Sequence, residues 1–503
     1  MAQVIQDTQS RRSLPIVRGW STHANSEATK YLMISRATEI RSGELYRELR
    51  RYNSIACIRI VSKSTHSCLG FTRLARLIFI ARLCPPLALD ALRIAVPESK
   101  TAKDPNIHLL VTELLADLDS SHELAVPDME WVERKTKENQ REIDRLEHEL
   151  RGYKNNLIKE SIRMGQEDLA MHYLSMSDFE NSQKAFQKMR EYCTTPKHIA
   201  EMTIKLIYTS IASSQWVILK SSCQRVSVMQ LKPEDKDKFE PAVEACLGLA
   251  YLGTSDYRSA AEVFLRVNQS FTANESVAGI NFPKAVLTGN DIAVYGGLCA
   301  LATMNREELQ TTVLESSDFR TFLELEPHVR RAISFFCDGK YSQCLAILES
   351  YRNDYQLDIY LGEHLGELYQ RIRSKSIIQY FVPFSQVSLA ALAAAFPLPS
   401  EGNTTTELMT CELIDMIQSG LLNARIDTVN QSLIAPHKDT RVETHQSVLE
   451  TAHEIEHKLR VKLHKMNMFQ AGLELHNPKA AKGFKTASGM NPWESSTGMS
   501  MEG

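Results

Sequence analysis

The sequence predicts a mainly α protein: TPR-like helical hairpins wound into a right-handed solenoid, then a winged-helix module and a long C-terminal helix. Three observations carry this reading. A turn of fixed chemistry recurs between helical runs, at Ser177-Asp178-Phe179, Ser214-Gln215-Trp216, Ser255-Asp256-Tyr257 and Gly339-Lys340-Tyr341. A convincing strand pattern occurs in one place, between Leu422 and Ile434. An apolar stripe then runs down the last helical stretch at three- and four-residue spacing.

The aromatic residues that open each run, Phe179, Trp216, Tyr257 and Tyr341, lie 37, 41 and 84 residues apart, the last interval being two periods of 42. That is the length of one helical hairpin with its connections. After Tyr257 come Ala260, Ala261 and Phe264, and after Tyr341 come Cys344, Leu345 and Leu348, the i, i+3, i+4, i+7 face of a helix. A single hairpin cannot bury both its faces, so neighbours must stack. The copy expected between Tyr257 and Tyr341 is degenerate: Asn305-Arg306-Glu307 breaks an apolar helix, Ile292 to Met304, without supplying the aromatic.

Residues 1–45 read as a disordered or weakly ordered tail, although Arg11, Arg12 and Arg18 among serines also fit an amphipathic transit sequence. Residues 46–155 form an N-terminal helical segment. Its greasiest stretch, Leu74 to Val96, is interrupted by Arg76, Arg82, Pro85, Pro86, Asp90 and Arg93, and so reads as two helices joined at the prolines rather than a membrane span. Asp128 to Leu157 is a charged helix with i, i+4 pairs such as Glu133 and Lys137. Hairpin repeats fill residues 156–358.

Residues 359–440 change character. Leu365, Leu368 and Ile372 mark one helix, Ser385 can cap a second over Val387 to Phe396, and a third spans Thr406 to Ser419 and stops at Gly420. Leu422, Ala424 and Ile426 then alternate into a turn over Asp427 to Gln431, and Leu433 and Ile434 return. Three helices and a small hairpin make a winged helix. The fold often reads DNA with its third helix. Here that helix, Leu408 to Met416, holds two acids and no Arg or Lys, whereas phosphate contacts need basic groups. An edge strand that pairs with another subunit suits the module better, which makes Leu422, Ile426, Val429, Leu433 and Ile434 candidate interface residues.

Residues 441–475 read as a bundle helix. Val448, Ala452, Ile455, Leu459, Leu463, Met466 and Phe469 form the stripe, and Val448, Ile455, Leu459, Leu463 and Met466 are the candidate bundle contacts. Residues 476–503 read as a disordered tail.

Composition restricts the function class. In 503 residues, 58 basic against 61 acidic side chains leave a net charge of −3, no global field for nucleic acid or acidic membranes. The ten cysteines contain no CxxC pair, and Cys246 and Cys299 sit among apolar neighbours, as expected of free thiols in a reducing compartment. His453-Glu454-Ile455-Glu456-His457 satisfies HExxH, the helix of many zinc hydrolases. The extended form wants a glycine at position 460 and a histidine at 463, where Arg460 and Leu463 stand, and the remaining downstream ligand candidate is Glu474. Gly339-Lys340 is no phosphate loop, because Ser334 and Tyr341 occupy the positions of its first glycine and its Ser or Thr. Gly296-Gly297 interrupts a helix and permits close packing. No cofactor site, metal site or catalytic set emerges, and the zinc hydrolase stands as the alternative of a different class.

The block from Leu361 to Pro436, following helical repeats, resembles the PCI module of large-complex scaffolds. Asn156-Leu157-Ile158-Lys159-Glu160-Ser161-Ile162-Arg163, Val294-Tyr295-Gly296-Gly297-Leu298-Cys299-Ala300-Leu301-Ala302-Thr303, Phe322-Leu323-Glu324-Leu325-Glu326-Pro327, Ile378-Gln379-Tyr380-Phe381 and Arg76-Leu77-Ile78-Phe79-Ile80-Ala81 together look like the subunit 1 family of the COP-nine signalosome. The sister subunit of the proteasome lid, or another PCI-complex scaffold, is the alternative. The resemblance implies a non-catalytic scaffold in a complex that removes the modifier Nedd from cullin-RING ubiquitin ligases through a zinc isopeptidase in another subunit. It implies other signalosome subunits as partners, subunits 2 and 3 above all, met through PCI modules and a helical bundle. Cullin-RING ligases would be met indirectly, nucleic acid and membrane not at all, in nucleus and cytoplasm.

Overall fold

The computed structural model describes residues 71–119, 122–273, 276–397, 405–436 and 440–473; the two expected tails lie outside them. The chain forms two compact units, one running to Leu422 and including Ile426–Leu433, the other holding Asn423–Arg425 and the residues from Ile434 onward. Among the described helices none is long and apolar enough to cross a membrane.

The first unit begins with α1 (Phe71–Leu83), α2 (Pro85–Thr101) and α3 (Pro105–Leu118). Pro85 and Pro105 stand at helix starts, where their missing N–H costs nothing, and the Asp104 carboxylate caps α3 by accepting the Asn106 N–H at 2.9 Å. Leu74, Leu77, Leu87, Leu92, Val111 and Leu115 form their core, and the distant Leu357 is buried in it. The charged helix is α4 (Met129–Asn155), capped by Asp128 and laced on its surface by pairs such as Lys137 to Glu133 at 3.4 Å.

The hairpins follow: α5 (Lys159–Ser175) with α6 (Phe179–Met189), α7 (Pro196–Ala212) with α8 (Trp216–Val228), and α9 (Pro233–Gly253) with α10 (Tyr257–Phe264). A short α11 (Phe282–Ala285) precedes α12 (Gly289–Thr303), whose partner α13 (Arg306–Glu308) runs on as a π-helical turn over Leu309–Leu314. After α14 (Ser317–Leu325) come α15 (Pro327–Cys337), paired with α16 (Tyr341–Ser350), and α17 (Arg352–Gln356).

One backbone device makes four of these hairpins. Ser177, Ser214, Ser255 and Gly339 take the left-handed conformation, at φ of 60°, 55°, 60° and 80°. The N–H of the next residue then reaches back to the carbonyl five positions earlier: Asp178 to Tyr173, Gln215 to Ser210, Asp256 to Tyr251 and Lys340 to Phe335, at 2.8–3.0 Å. This is a Schellman closure, and it explains the small or polar residue at the head of each sequence motif. The degenerate copy closes differently. Met304 and Asn305 stay at negative φ, and Asn305 and Glu308 form a reciprocal capping box, with the Asn305 N–H to Glu308 Oε2 at 2.8 Å.

Gly296 and Gly297 do not interrupt α12, contrary to the sequence reading; the helix runs through them. Their packing role holds, since a Cβ on Gly297 would lie 2.4 Å from Val329 Cγ1.

The winged helix comprises α18 (Leu365–Phe381), β1 (Gln386–Ser388), α19 (Leu389–Ala395), α20 (Thr405–Gln418), β2 (Arg425–Asp427) and β3 (Ser432–Ile434). Its sheet has the order β1-β3-β2, one strand more than expected. Val387 and Ser388, read from sequence as the start of a helix, join Gln386 in a strand that pairs with β3 instead, and the cap of α19 is Ser388, whose Oγ accepts the Ala391 N–H, rather than Ser385. An alternating exposed-buried-exposed triplet too short to show in sequence becomes a strand once β3 lies beside it. The second unit's long helix is α21 (Thr440–Gln470).

A Cβ at Gly253 would sit 2.4 Å from the Trp216 ring. Gly253→Ala is therefore expected to cost ~1–3 kcal/mol. Most of that cost should vanish in a Trp216→Ala background, as a double-mutant cycle of denaturation midpoints would show.

Candidate interaction surfaces

Three of the four repeat-turn aromatics turn inward, onto the chain itself. Trp216 meets Tyr360 edge-on with ring centres 6.1 Å apart. The Tyr257 hydroxyl donates to Glu367 Oε2 at 2.8 Å and lies 3.2 Å from His364 Nδ1, while the Arg371 guanidinium covers its ring at 4.8 Å. Tyr341 packs on Phe336 and stacks on Phe396 of the winged helix. The openers thus seat the segment that leads into α18, and with it the winged helix. Phe179 is half-buried and lines a cavity of about 330 Å³ with Asp104, Ser177 and Tyr208. Burial raises the carboxyl of Asp104 and the phenol of Tyr208 above their ordinary values.

A buried ionic knot reinforces that seat. Arg76 on α1 reaches Asp291 at 3.1 Å and Asp358 at 3.8 Å. The Tyr295 hydroxyl donates to Asp358 Oδ1 at 2.6 Å, and the same oxygen accepts the N–H groups of Tyr360 and Leu361 at 3.0 Å. Burial pushes the Asp291 carboxyl up, against the pull of the guanidinium. Lys375 on α18 caps α12 in turn, donating to Leu301 O at 2.7 Å and to Met304 O; desolvation lowers its ammonium to about 8. Asp291, Asp358 and Lys375 did not stand out in the sequence, and the pairing of Arg76 and Tyr295 was not legible there, because the partners lie tens to hundreds of positions away.

The wing residues divide. Leu422 and Leu433 are buried in the core, which corrects their assignment to the interface: β3 is the central strand, so Leu433 cannot lie on an edge. Ile426, on the outer strand β2, and Ile434 are half-buried. Val429 is 87 % exposed at the wing tip, in a turn held by the Asp427 carboxylate, which accepts the Val429 N–H at 2.9 Å. Those bonds lower the Asp427 pKa, the Asn430 side chain foremost.

On α20, Met409, Leu413 and Met416 face the core, and Glu412 is engaged by Arg373 at 2.9 and 3.1 Å. The positions left on the surface include Glu407, Cys411, Ile414 and Asp415, with no basic group to meet a phosphate.

Along α21, Val448, Ile455, Leu459, Leu463 and Met466 are each 52–61 % exposed, an apolar stripe facing solvent. The HExxH motif lies on this helix with both acids engaged, Glu454 by Lys458 at 2.7 Å and Glu456 by Arg460 at 2.6 Å. Among the described residues no three His, Cys, Asp or Glu side chains gather to hold a metal, and Glu474 lies outside them. Cys193, Cys223, Cys246, Cys299, Cys337, Cys344 and Cys411 carry free thiols, and burial raises those of Cys299 and Cys344 to about 12.

One carboxyl gives the repeats a pH signature. Burial, with Glu240 nearby, raises Glu244 on α9 from 4.5 to about 7. The folded state binds this proton more tightly than the unfolded chain, so the contribution is complete below pH 4.5 and is lost as pH rises through 7. Glu244→Gln should therefore match the parent's thermal midpoint in acid and exceed it at pH 8; equal midpoints at pH 8 would refute the assignment.

Comparison with known proteins agrees with this architecture. The family described as 26S proteasome subunit RPN7 matches residues 128–312, and the PCI domain family matches residues 348–437. The chain is 46 % identical over 414 residues to the COP9 signalosome complex subunit 1 of Emericella nidulans, covering 81 % of each chain. It is 37 % identical to the Neurospora crassa protein of that name, covering 84 % of this chain and 92 % of the relative. To the Arabidopsis thaliana protein it is 35 % identical, over 82 % and 90 %.

Proposed function

The chain belongs to the COP9 signalosome complex subunit 1 family, and from that premise we propose that it is a non-catalytic scaffold of a signalosome that removes the modifier Nedd from cullin-RING ubiquitin ligases. The isopeptidase lies in another subunit. The partners are other signalosome subunits, 2 and 3 foremost, with cullin-RING ligases met indirectly, in nucleus and cytoplasm.

The observation that carries this reading is α21: an apolar stripe along a helix of 31 residues, exposed at every contact position. So much apolar surface along one helix calls for partner helices. The outer strand β2 supports the same reading, since its unpaired backbone groups offer a ladder to another chain.

Purification of the tagged chain from its native cells is expected to recover the other signalosome subunits, and truncation after Arg441 to lose those held by the bundle. His453→Ala with His457→Ala should leave recovery and cullin deneddylation unchanged. A lone monomer carrying stoichiometric zinc would sink the scaffold reading in favour of the hydrolase.

Ile426→Pro removes a backbone donor from β2. It should leave the chain folded, as judged by circular dichroism, while reducing recovery of the winged-helix neighbour at least tenfold. Unchanged recovery would show that β2 is not the pairing edge.

A further inference from the structure

The turn between α4 and α5 shares the left-handed slot and the two preceding bonds of the repeat turn, without the bond from the next residue that closes the other four, and its polarity is inverted. Asn156 N donates to Gly152 O and Leu157 N to Lys154 O, each at 3.2 Å, matching Met176 N to His172 O and Ser177 N to Leu174 O one turn later. Leu157 fills the left-handed slot at φ 54°. The other four turns put Ser, Ser, Ser and Gly in that slot, Asp, Gln, Asp and Lys after it, and then an aromatic ring that is buried or half-buried. Here the three positions read Leu157, Ile158 and Lys159: apolar where the others are polar, charged where the others pack inward.

The fold gains little from this choice. Leu157 is 81 % exposed and Ile158 55 %, and a leucine in the left-handed region carries a backbone cost that glycine avoids. Scattered exposed aliphatics are ordinary; two in succession, the first in a strained conformation, are not. Strain of this kind is retained where a surface is used.

The surrounding charge says what fits. Arg151 is paired with Glu147 at 3.6 Å and Glu160 is taken by Arg163 at 2.6 Å. Lys154 and Lys159, on either side of the apolar pair, are exposed and have no ion-pair partner among the described residues. Neither remaining segment of the chain is acidic overall: residues 1–70 hold eleven Lys and Arg against five Asp and Glu, and residues 474–503 hold three of each.

We infer that the α4–α5 turn is a docking surface for a partner polypeptide segment that presents an apolar side chain flanked by acidic residues. Leu157 and Ile158 cover the apolar anchor while Lys154 and Lys159 hold the acids and set the register. The surface stands apart from the roles proposed for the wing and α21.

The test uses the full chain in its native cells with a photoreactive benzoylphenylalanine at the exposed Asn156. Irradiation followed by mass spectrometry is expected to identify one segment of another polypeptide with an apolar residue between acids. Lys154→Glu with Lys159→Glu should cut the crosslink at least tenfold, and changing the partner's flanking acids to lysine should restore it. Leu157→Ser with Ile158→Asp, which writes the sequence of the other turns into this one, should also lose the crosslink while keeping the thermal midpoint and the recovery of other subunits. That control separates lost docking from a lost fold or a failed scaffold. No crosslink, crosslinks confined to this chain or a second copy of it, a target segment without acidic flanks, or a yield unmoved by the charge reversal would each overturn the inference.

Discussion

The buried knot of Arg76, Asp291, Tyr295 and Asp358 is the contact on which the order of the first unit depends. It joins an N-terminal helix, the fourth hairpin and the approach to the winged helix, three stretches with no local reason to meet. Removing one partner from such a group costs ~3–5 kcal/mol, because the charge left behind keeps its desolvation penalty without a counter-ion. The knot therefore works as a registration device more than as a source of net stability. The burial of Leu357 in the core of α1, α2 and α3, and the bond from the Thr72 hydroxyl to the Ala285 carbonyl, hold the N-terminal helices beside Asp358 and near Asp291 through apolar packing and a neutral hydrogen bond.

Around that knot the repeat turns acquire a second purpose. A Schellman closure ends one helix and starts the next, which is a local matter. The aromatic that follows it holds the approach to α18, the start of α18 or the winged helix beyond it: Trp216 through Tyr360, Tyr257 through His364 and Glu367, Tyr341 through Phe396. The repeats and the winged helix are thus fastened to each other at three points. The role proposed above would draw on this rigidity, since an edge strand can position a neighbour only as well as the strand itself is held.

The surfaces left over are of a kind suited to protein partners. The outer face of α20 is acidic and apolar, β2 carries an open ladder edge, and α21 shows an apolar stripe between charged flanks. None of these creates the basic stripe that polyanions require. On the HExxH helix the two glutamates are partners for Lys458 and Arg460.

What could be read from the order of residues is what local physics controls. Period and turn chemistry disclosed the hairpins, alternation around Asp427 disclosed the wing, and heptad-like spacing disclosed α21, because helices, turns and alternating strands are specified by neighbours within a few residues. Features that depend on distant partners emerged with the folded chain alone. Strand β1 is three residues long and exists because β3 lies beside it; Leu433 belongs to the core because its strand is the middle one; Arg76, Lys375 and Asp358 matter because of groups that lie far along the chain. Even the inverted turn at Leu157 was visible as letters but became meaningful only when its φ matched that of Ser177, Ser214, Ser255 and Gly339, since a residue's cost and exposure are properties of conformation and packing rather than of sequence.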